Sequence, residues 1–189
     1  NMGMNLIPSG VTAAKGFGLV SVGSMFDSAY EERFNAWYSD ADADVEVVAG
    51  VATGAIAHGV LAAEKMGKPF IYVRSAPKSH GLENQVEGEV KAGAKVVVIE
   101  DLVSTGGSSL AAVEALRKAG CEVLGMVAIF TYGFPVAVEN VEKAGVKLDT
   151  LSNYGAMISL AAEEGYVKEE ELETLQEWRK NPSQWRQNE

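Results

Sequence analysis

Two carboxylates, three hydroxyls and two glycines fall within nine positions, Glu100-Asp101-Leu102-Val103-Ser104-Thr105-Gly106-Gly107-Ser108. Glycines let backbone amides come close to an anion, and the hydroxyls of Ser104, Thr105 and Ser108 add donors. Carboxylates repel phosphate, so Glu100 and Asp101 are suited instead to sugar hydroxyls or to water on a metal ion. Together these residues read as a ribose-phosphate site. What must position them lies on either side. Val96-Val97-Val98-Ile99 reads as the buried end of a strand over Lys95–Glu100, with the acids where it stops, and Ser108–Ala119 reads as a helix. Ligands of open α/β sheets bind at the carboxyl ends of strands, and a helix opening there presents free N–H groups and a positive dipole end to phosphate. Ser108 also suits a helix cap, but capping alone leaves two adjacent acids unexplained. No Gly-Lys-Ser/Thr follows the glycines, which excludes a Walker loop. The acids precede the turn and no G-x-G-x-x-G is present, which excludes a dinucleotide fingerprint.

Two further segments carry candidate chemistry. Val51-Ala52-Thr53-Gly54 follows the strand Val45–Val48 and precedes a small-residue helix, Thr53–Met66. Read alone it is a plain βα loop; beside the acidic motif its amides suit a second anion. Arg74, Lys78 and His80 put three possible cations within seven positions of a loop running from Ser75 to Glu87. A loop of this kind can close over an anion and supply positive charge to a leaving group, or it can be an ordinary solvated surface. The second histidine, His58, lies within the small-residue helix and reads as structural.

The chain as a whole sets the frame. Its 189 residues, 47% hydrophobic and 22% charged, fit one α/β domain with a substantial core. The formal net charge of −10 argues against nonspecific nucleic-acid binding and demands local cations, amides or Mg²⁺ wherever a polyanion binds. No apolar run reaches bilayer length, and Asn1-Met2-Gly3-Met4-Asn5 lacks the basic start of a signal peptide. Cys121 is the only cysteine and reads as a structural thiol, so a cytoplasmic setting is expected.

From Val45, strands and helices alternate, which predicts a parallel sheet with right-handed crossovers. Further strands are expected at Pro69–Arg74 and Cys121–Thr131, with an edge strand at Val146–Leu148. Further helices are expected at Pro135–Lys143, about Tyr154–Glu164, and Lys168–Lys180. The last carries acid early and base late, as the helix dipole favours. Its stripe of Leu172, Leu175 and Trp178 is core or a subunit contact, and the tail from Ser183 to Glu189 is expected to fray. Residues 1–189 read as one domain, with a core over 45–150 and C-terminal helices over 151–182. Residues 1–44 are poorly legible; Ser24 to Tyr38 suits an amphipathic helix.

The acidic strand end and small-residue bend resemble the signature of the type I phosphoribosyltransferases, which act on phosphoribosyl pyrophosphate (PRPP). Arg74-x-x-x-Lys78-x-His80-Gly81, then Asn84-Gln85-Val86-Glu87-Gly88, Ala128 to Pro135 and Leu151 to Tyr154, resemble the orotate branch of that family. The resemblance runs from about Val45 to Pro182. It implies the type I fold, a central mainly parallel sheet flanked by helices with a small hood from the termini. It implies Mg²⁺ carried by PRPP and water, with no direct protein ligand, and a homodimer that shares the catalytic loop between subunits. PRPP would be held by Arg74, Lys78, His80, Glu100, Asp101, Leu102, Val103, Ser104, Thr105, Gly106, Gly107 and Ser108. Lys78, His80 and Asp101 would be catalytic, Val51, Ala52, Thr53 and Gly54 would form the pyrophosphate loop, often strained in this family, and Ser104 would touch orotate.

Three departures stand out. Ser75 replaces a lysine common in relatives, Ser79 replaces the usual aspartate before histidine, and the Ser-Gly-x-x-Ser-Pro-type segment that helps bind the base is not recognisable before Val45. Ser9-Gly10 is the nearest fragment, and the N-terminal part is divergent, replaced or incompletely represented. The expected reaction is Mg²⁺-dependent transfer from PRPP to orotate. The rivals are a phosphoribosyltransferase for another nucleobase and a non-catalytic PRPP or nucleotide sensor of the same fold.

Overall fold

The computed structural model describes residues 45–74 and 85–185. Their strands are β1 (Val47–Val51), β2 (Phe70–Val73), β3 (Val86–Glu87), β4 (Lys95–Val103), β5 (Glu122–Thr131) and β6 (Leu148–Asn153). The helices are α1 (Ala55–Met66), α2 (Gly107–Lys118), α3 (Pro135–Lys143), α4 (Tyr154–Glu163) and α5 (Glu169–Lys180). The sheet order is β3-β2-β1-β4-β5-β6, with β3 antiparallel to β2 and every other pair parallel. From β1 the chain winds outward to β2, then returns to the other side of β1 and winds through β4, β5 and β6. The β1/β4 junction is thus a topological switch point, where the carboxyl ends of adjacent strands open a crevice.

Val48, Val96, Val97, Val98 and Ile99 are completely buried, as expected for central parallel strands covered on both faces. Helix α1 lies close to the sheet because its inner face is small. Ala55, Gly59, Ala62 and Ala63 are buried, and a Cβ at Gly59 would stand 2.5 Å from Phe70 Cε2. The C-terminal helices close over the end of β5 through an aromatic cluster. Tyr132 stacks on Phe134 at 5.1 Å, and Trp178 packs edge-on against both. Tyr154 completes the group, 5.3 Å from the Trp178 ring. The apolar stripe of α5 is therefore core: Trp178 is buried, and the half-buried Leu172 and Leu175 pack against the hydrophobic core of the domain.

Several boundaries differ from expectation. Strand β4 does not stop at Glu100 but runs to Val103, because β5 continues beside it and pairs Leu102 with Phe130 and Val103 with Thr131. Glu100 and Asp101 are consequently inside the strand. Strand β1 begins two residues later than expected and extends through Val51. The edge strand is Leu148–Asn153 rather than Val146–Leu148; its polar Asp149, Thr150 and Ser152 hide it from a reading based on apolar runs.

Strand β3 lies within the segment expected to be all loop. The Arg74 N–H donates to Gln85 O at 2.9 Å, and Gln85 Nε2 donates to Arg74 O at 3.1 Å. Residues 181–185 form a turn in which Ser183 Oγ donates to Asn181 Oδ1 at 3.0 Å, and Trp185 packs on the core. Residues 186–189 of the tail expected to fray lie outside the described residues. The expected helix at Ser24 to Tyr38 lies outside the described residues.

Candidate active site

Two loops meet at the switch point. The first, after β1, contains Ala52, Thr53 and Gly54, and its Ala52–Thr53 peptide is cis. Val51 is buried and the Ala52 N–H donates to Val73 O at 2.8 Å, whereas Thr53 and Gly54 are exposed at the start of α1. The second is the bend Ser104-Thr105-Gly106 between β4 and α2. Gly106 adopts φ 82°, a left-handed conformation that glycine takes without a Cβ penalty, and it is the residue from which α2 starts. Ser108 is thus not the cap: it sits in the first turn, and no side chain caps this helix.

The first-turn N–H groups of α2 lie ahead of the helix's own acceptors. Gly107 and Ser108 are exposed, and among the described residues nothing accepts from their amides. Thr105 is exposed and Ser104 half-buried, so both hydroxyls lie on the same short bend as those amides with solvent access. The bend is tethered from outside by Asn140 Nδ2, which donates to Thr105 O at 3.0 Å. It is tethered from below by Thr131, whose hydroxyl donates to Val103 O at 3.1 Å. Val103 itself is fully buried, while Leu102 is 39% exposed at the edge of the site. Helices α1 and α2 both point their positive ends at this edge, which favours anions there despite the negative net charge.

The two acids have different surroundings. Glu100 is 3% exposed. Its Oε2 accepts from Ser109 Oγ at 2.7 Å, and its Oε1 accepts from the Asp101 N–H at 3.0 Å. Burial pushes its carboxyl up to about 8, with the neighbouring Asp101 carboxyl adding to the rise and the Ser109 hydroxyl opposing it. Glu100 is therefore committed inward, to the first turn of α2, rather than standing free at the opening. Asp101 is half-buried and lies across the crevice against the other loop: a Cβ built on Gly54 would overlap its carboxylate. Any side chain at position 54 would require the Asp101 carboxylate to move.

The cation loop is only partly visible. Arg74, just past β2, pairs with Glu87 at 3.6 Å across the β2–β3 hairpin and is not held at the bend. Lys78 and His80 lie outside the described residues. Sequence reasoning passed over Ser109, which follows the motif and reads as an ordinary helix residue. A hydroxyl at the third position of the helix, nine residues past the acid, was the available signal. Cys121 is buried and its thiol is pushed up by burial, as a structural thiol should be.

The segment that carries both loops is similar in sequence to known proteins. A model of the phosphoribosyl transferase domain matches residues 28–159. The chain belongs to the phosphoribosyltransferase family. An orotate phosphoribosyltransferase of Porphyromonas gingivalis is 62% identical over 147 residues, covering 78% of this chain and 70% of that protein. One from Phocaeicola vulgatus is 61% identical over 141 residues, covering 75% of this chain and 66% of that protein. Among solved structures, the orotate phosphoribosyltransferase of Aeropyrum pernix superposes with a TM-score of 0.59 at 29% identity, covering 75% of this chain and 78% of that one. Within the family, then, the chain falls with the orotate phosphoribosyltransferases. It spans about two thirds of the length of the curated relatives it matches.

Proposed function

We infer that the protein transfers the phosphoribosyl group of PRPP to orotate, giving orotidine 5′-monophosphate and pyrophosphate, a step of pyrimidine biosynthesis. The juxtaposition of Asp101 with Gly54 carries this reading, because it brings a ribose-binding acid into contact with a second anion loop. PRPP has phosphate at both ends, and the crevice has an exposed amide turn on each side. In this reading the 5′-phosphate takes the amides and hydroxyls of Thr105, Gly106, Gly107 and Ser108, and pyrophosphate takes Thr53 and Gly54. Leu102 and Val103 contribute backbone only. Asp101 accepts the ribose hydroxyls, and Ser104 faces the base.

The ribose carbon gains positive charge as pyrophosphate departs and the base nitrogen attacks. Positioning and charge balance are therefore the main work of the protein. Lys78 offsets charge on the leaving pyrophosphate, His80 donates to its oxygens, and Arg74, once released from Glu87, adds a third cation. Mg²⁺ fits this site as a passenger of the substrate. Glu100 has both oxygens engaged, which leaves the half-exposed Asp101 as the acid beside the crevice and PRPP oxygens and water as the main ligands. When bound, the ion neutralises pyrophosphate.

A homodimer in which the loop of one subunit completes the site of the other is part of the reading, as is a cytoplasmic setting, which the lone buried thiol suits. No helix among the described residues is long and apolar enough to cross a membrane. The decisive test is the fall in orotate absorbance with PRPP and Mg²⁺. Consumption of orotate with stoichiometric pyrophosphate is the expected result. PRPP binding without turnover would instead indicate a sensor, and turnover with hypoxanthine or uracil but not orotate a different transferase.

A further inference from the structure

We propose that Arg179, on the C-terminal helix α5, is a positioning residue for the acceptor side of the site. This rests on the phosphoribosyl-transfer reading and extends it to a residue remote from the motif. Its Nε donates to Tyr132 O at 3.0 Å and its Nη2 donates to Gly133 O at 3.3 Å, so one guanidinium clamps two successive carbonyls just past β5. The clamp is close-fitting: a Cβ on Gly133, which has φ 61°, would lie 2.8 Å from Nη2. From there a chain of hydrogen bonds leads to the bend. The Gly133 N–H donates to Thr131 Oγ1 at 3.0 Å, and the Thr131 hydroxyl donates to Val103 O at 3.1 Å, immediately before Ser104.

The position of this turn matters for the chemistry. The second anion loop follows β1, on one side of β4, while the Tyr132–Gly133 turn follows β5, on the other. A displacement at the ribose carbon needs the nucleophile on the face opposite the leaving group. With pyrophosphate on the β1 side, the acceptor base approaches from the β5 side, where Arg179 fixes the backbone. A planar guanidinium suits this task, since a lysine cannot address two carbonyls in a fixed fork.

The experiment is steady-state kinetics of Arg179→Met, which keeps most of the apolar stem, beside Arg179→Lys and the wild type in the full chain. The expected result is an increase of about tenfold or more in KM for orotate in Arg179→Met, a smaller increase in Arg179→Lys, and KM for PRPP within about twofold of wild type. The near-ultraviolet circular dichroism of the aromatic residues, the cluster beside Arg179 among them, should stay native. Equal increases in both KM values, or unchanged constants, would overturn the positioning role. So would a loss seen only as lower thermal stability. Should Arg179→Met fail to fold, the same comparison in Arg179→Lys decides. A wild-type chain that forms no orotidine 5′-monophosphate removes the transferase reading and this role together. An active wild type with indifferent variants removes this role alone.

Discussion

The Ser109 hydroxyl donates a 2.7 Å hydrogen bond to Glu100 Oε2, joining the first turn of α2 to the interior of β4 with both residues buried. The bond fixes where the helix begins relative to the strand, and hence where the free amides of Gly107 and Ser108 point. Ser109→Ala removes the donor and leaves a buried acceptor unsatisfied, at a cost of about 1–3 kcal/mol. We expect a lower midpoint in urea and a weaker grip on PRPP, measured as a KM increase with little change for orotate.

Glu100 gives a pH signature of its own. Its carboxyl titrates near 4.5 when unfolded and at about 8 in the fold. A raised acid binds its proton more tightly in the native state, so its favourable contribution is complete below the unfolded value. It fades as pH rises through the folded one. Stability of the wild type relative to Glu100→Gln, which carries no titrating group there, should fall progressively between about pH 4.5 and 8. Parallel thermal melts across that range check the sign.

A Cβ at Gly54 would overlap the Asp101 carboxylate, so the two cannot both keep their places. Gly54→Ala should displace the carboxylate and lower kcat/KM about a hundredfold, an order expected when a reacting group shifts by about an ångström. The destabilisation caused by Gly54→Ala should shrink in an Asp101→Ala background, because the overlap is then gone. A double-mutant cycle in denaturant measures this coupling, and strictly additive effects would refute the contact.

At Gly59 the issue is packing alone. Its missing Cβ lets α1 rest on Phe70 and Gly50. Gly59→Ala should destabilise by about 1–3 kcal/mol, as overpacking does, and Phe70→Leu should recover part of that loss. Calorimetry of the two single variants and the pair tests it.

Lys78 bears on the chemical step. Alanine there should slow turnover more than it weakens PRPP binding, since charge on pyrophosphate grows only as the bond breaks. An unchanged kcat would reject its part in assisting the leaving group.

Much of this architecture could be read from residue types. Branched apolar runs announce β1, β2, β4 and β5, and Pro135 to Lys143 marks α3 to the residue. The acidic bend was legible because its residue types have few other uses together. What escaped depended on neighbours distant in the chain. Nothing local says that β4 continues past its acids; the partner strand β5 decides that. Nothing local separates Glu100 from Asp101 either, yet Ser109 draws one inward and Gly54 makes room for the other. The clamp of Arg179 on Tyr132 and Gly133 links residues 46 and 47 positions apart, beyond any motif.

The paired hydrogen bonds between Arg74 and Gln85 hold the carboxyl end of β2 and the amino end of β3 together at a single junction. One of those two bonds comes from the uncharged side chain of Gln85, which grips the main chain of Arg74. A neutral residue thereby moors a charged one: changing Gln85 would loosen the footing of Arg74 without altering the charge of its surroundings.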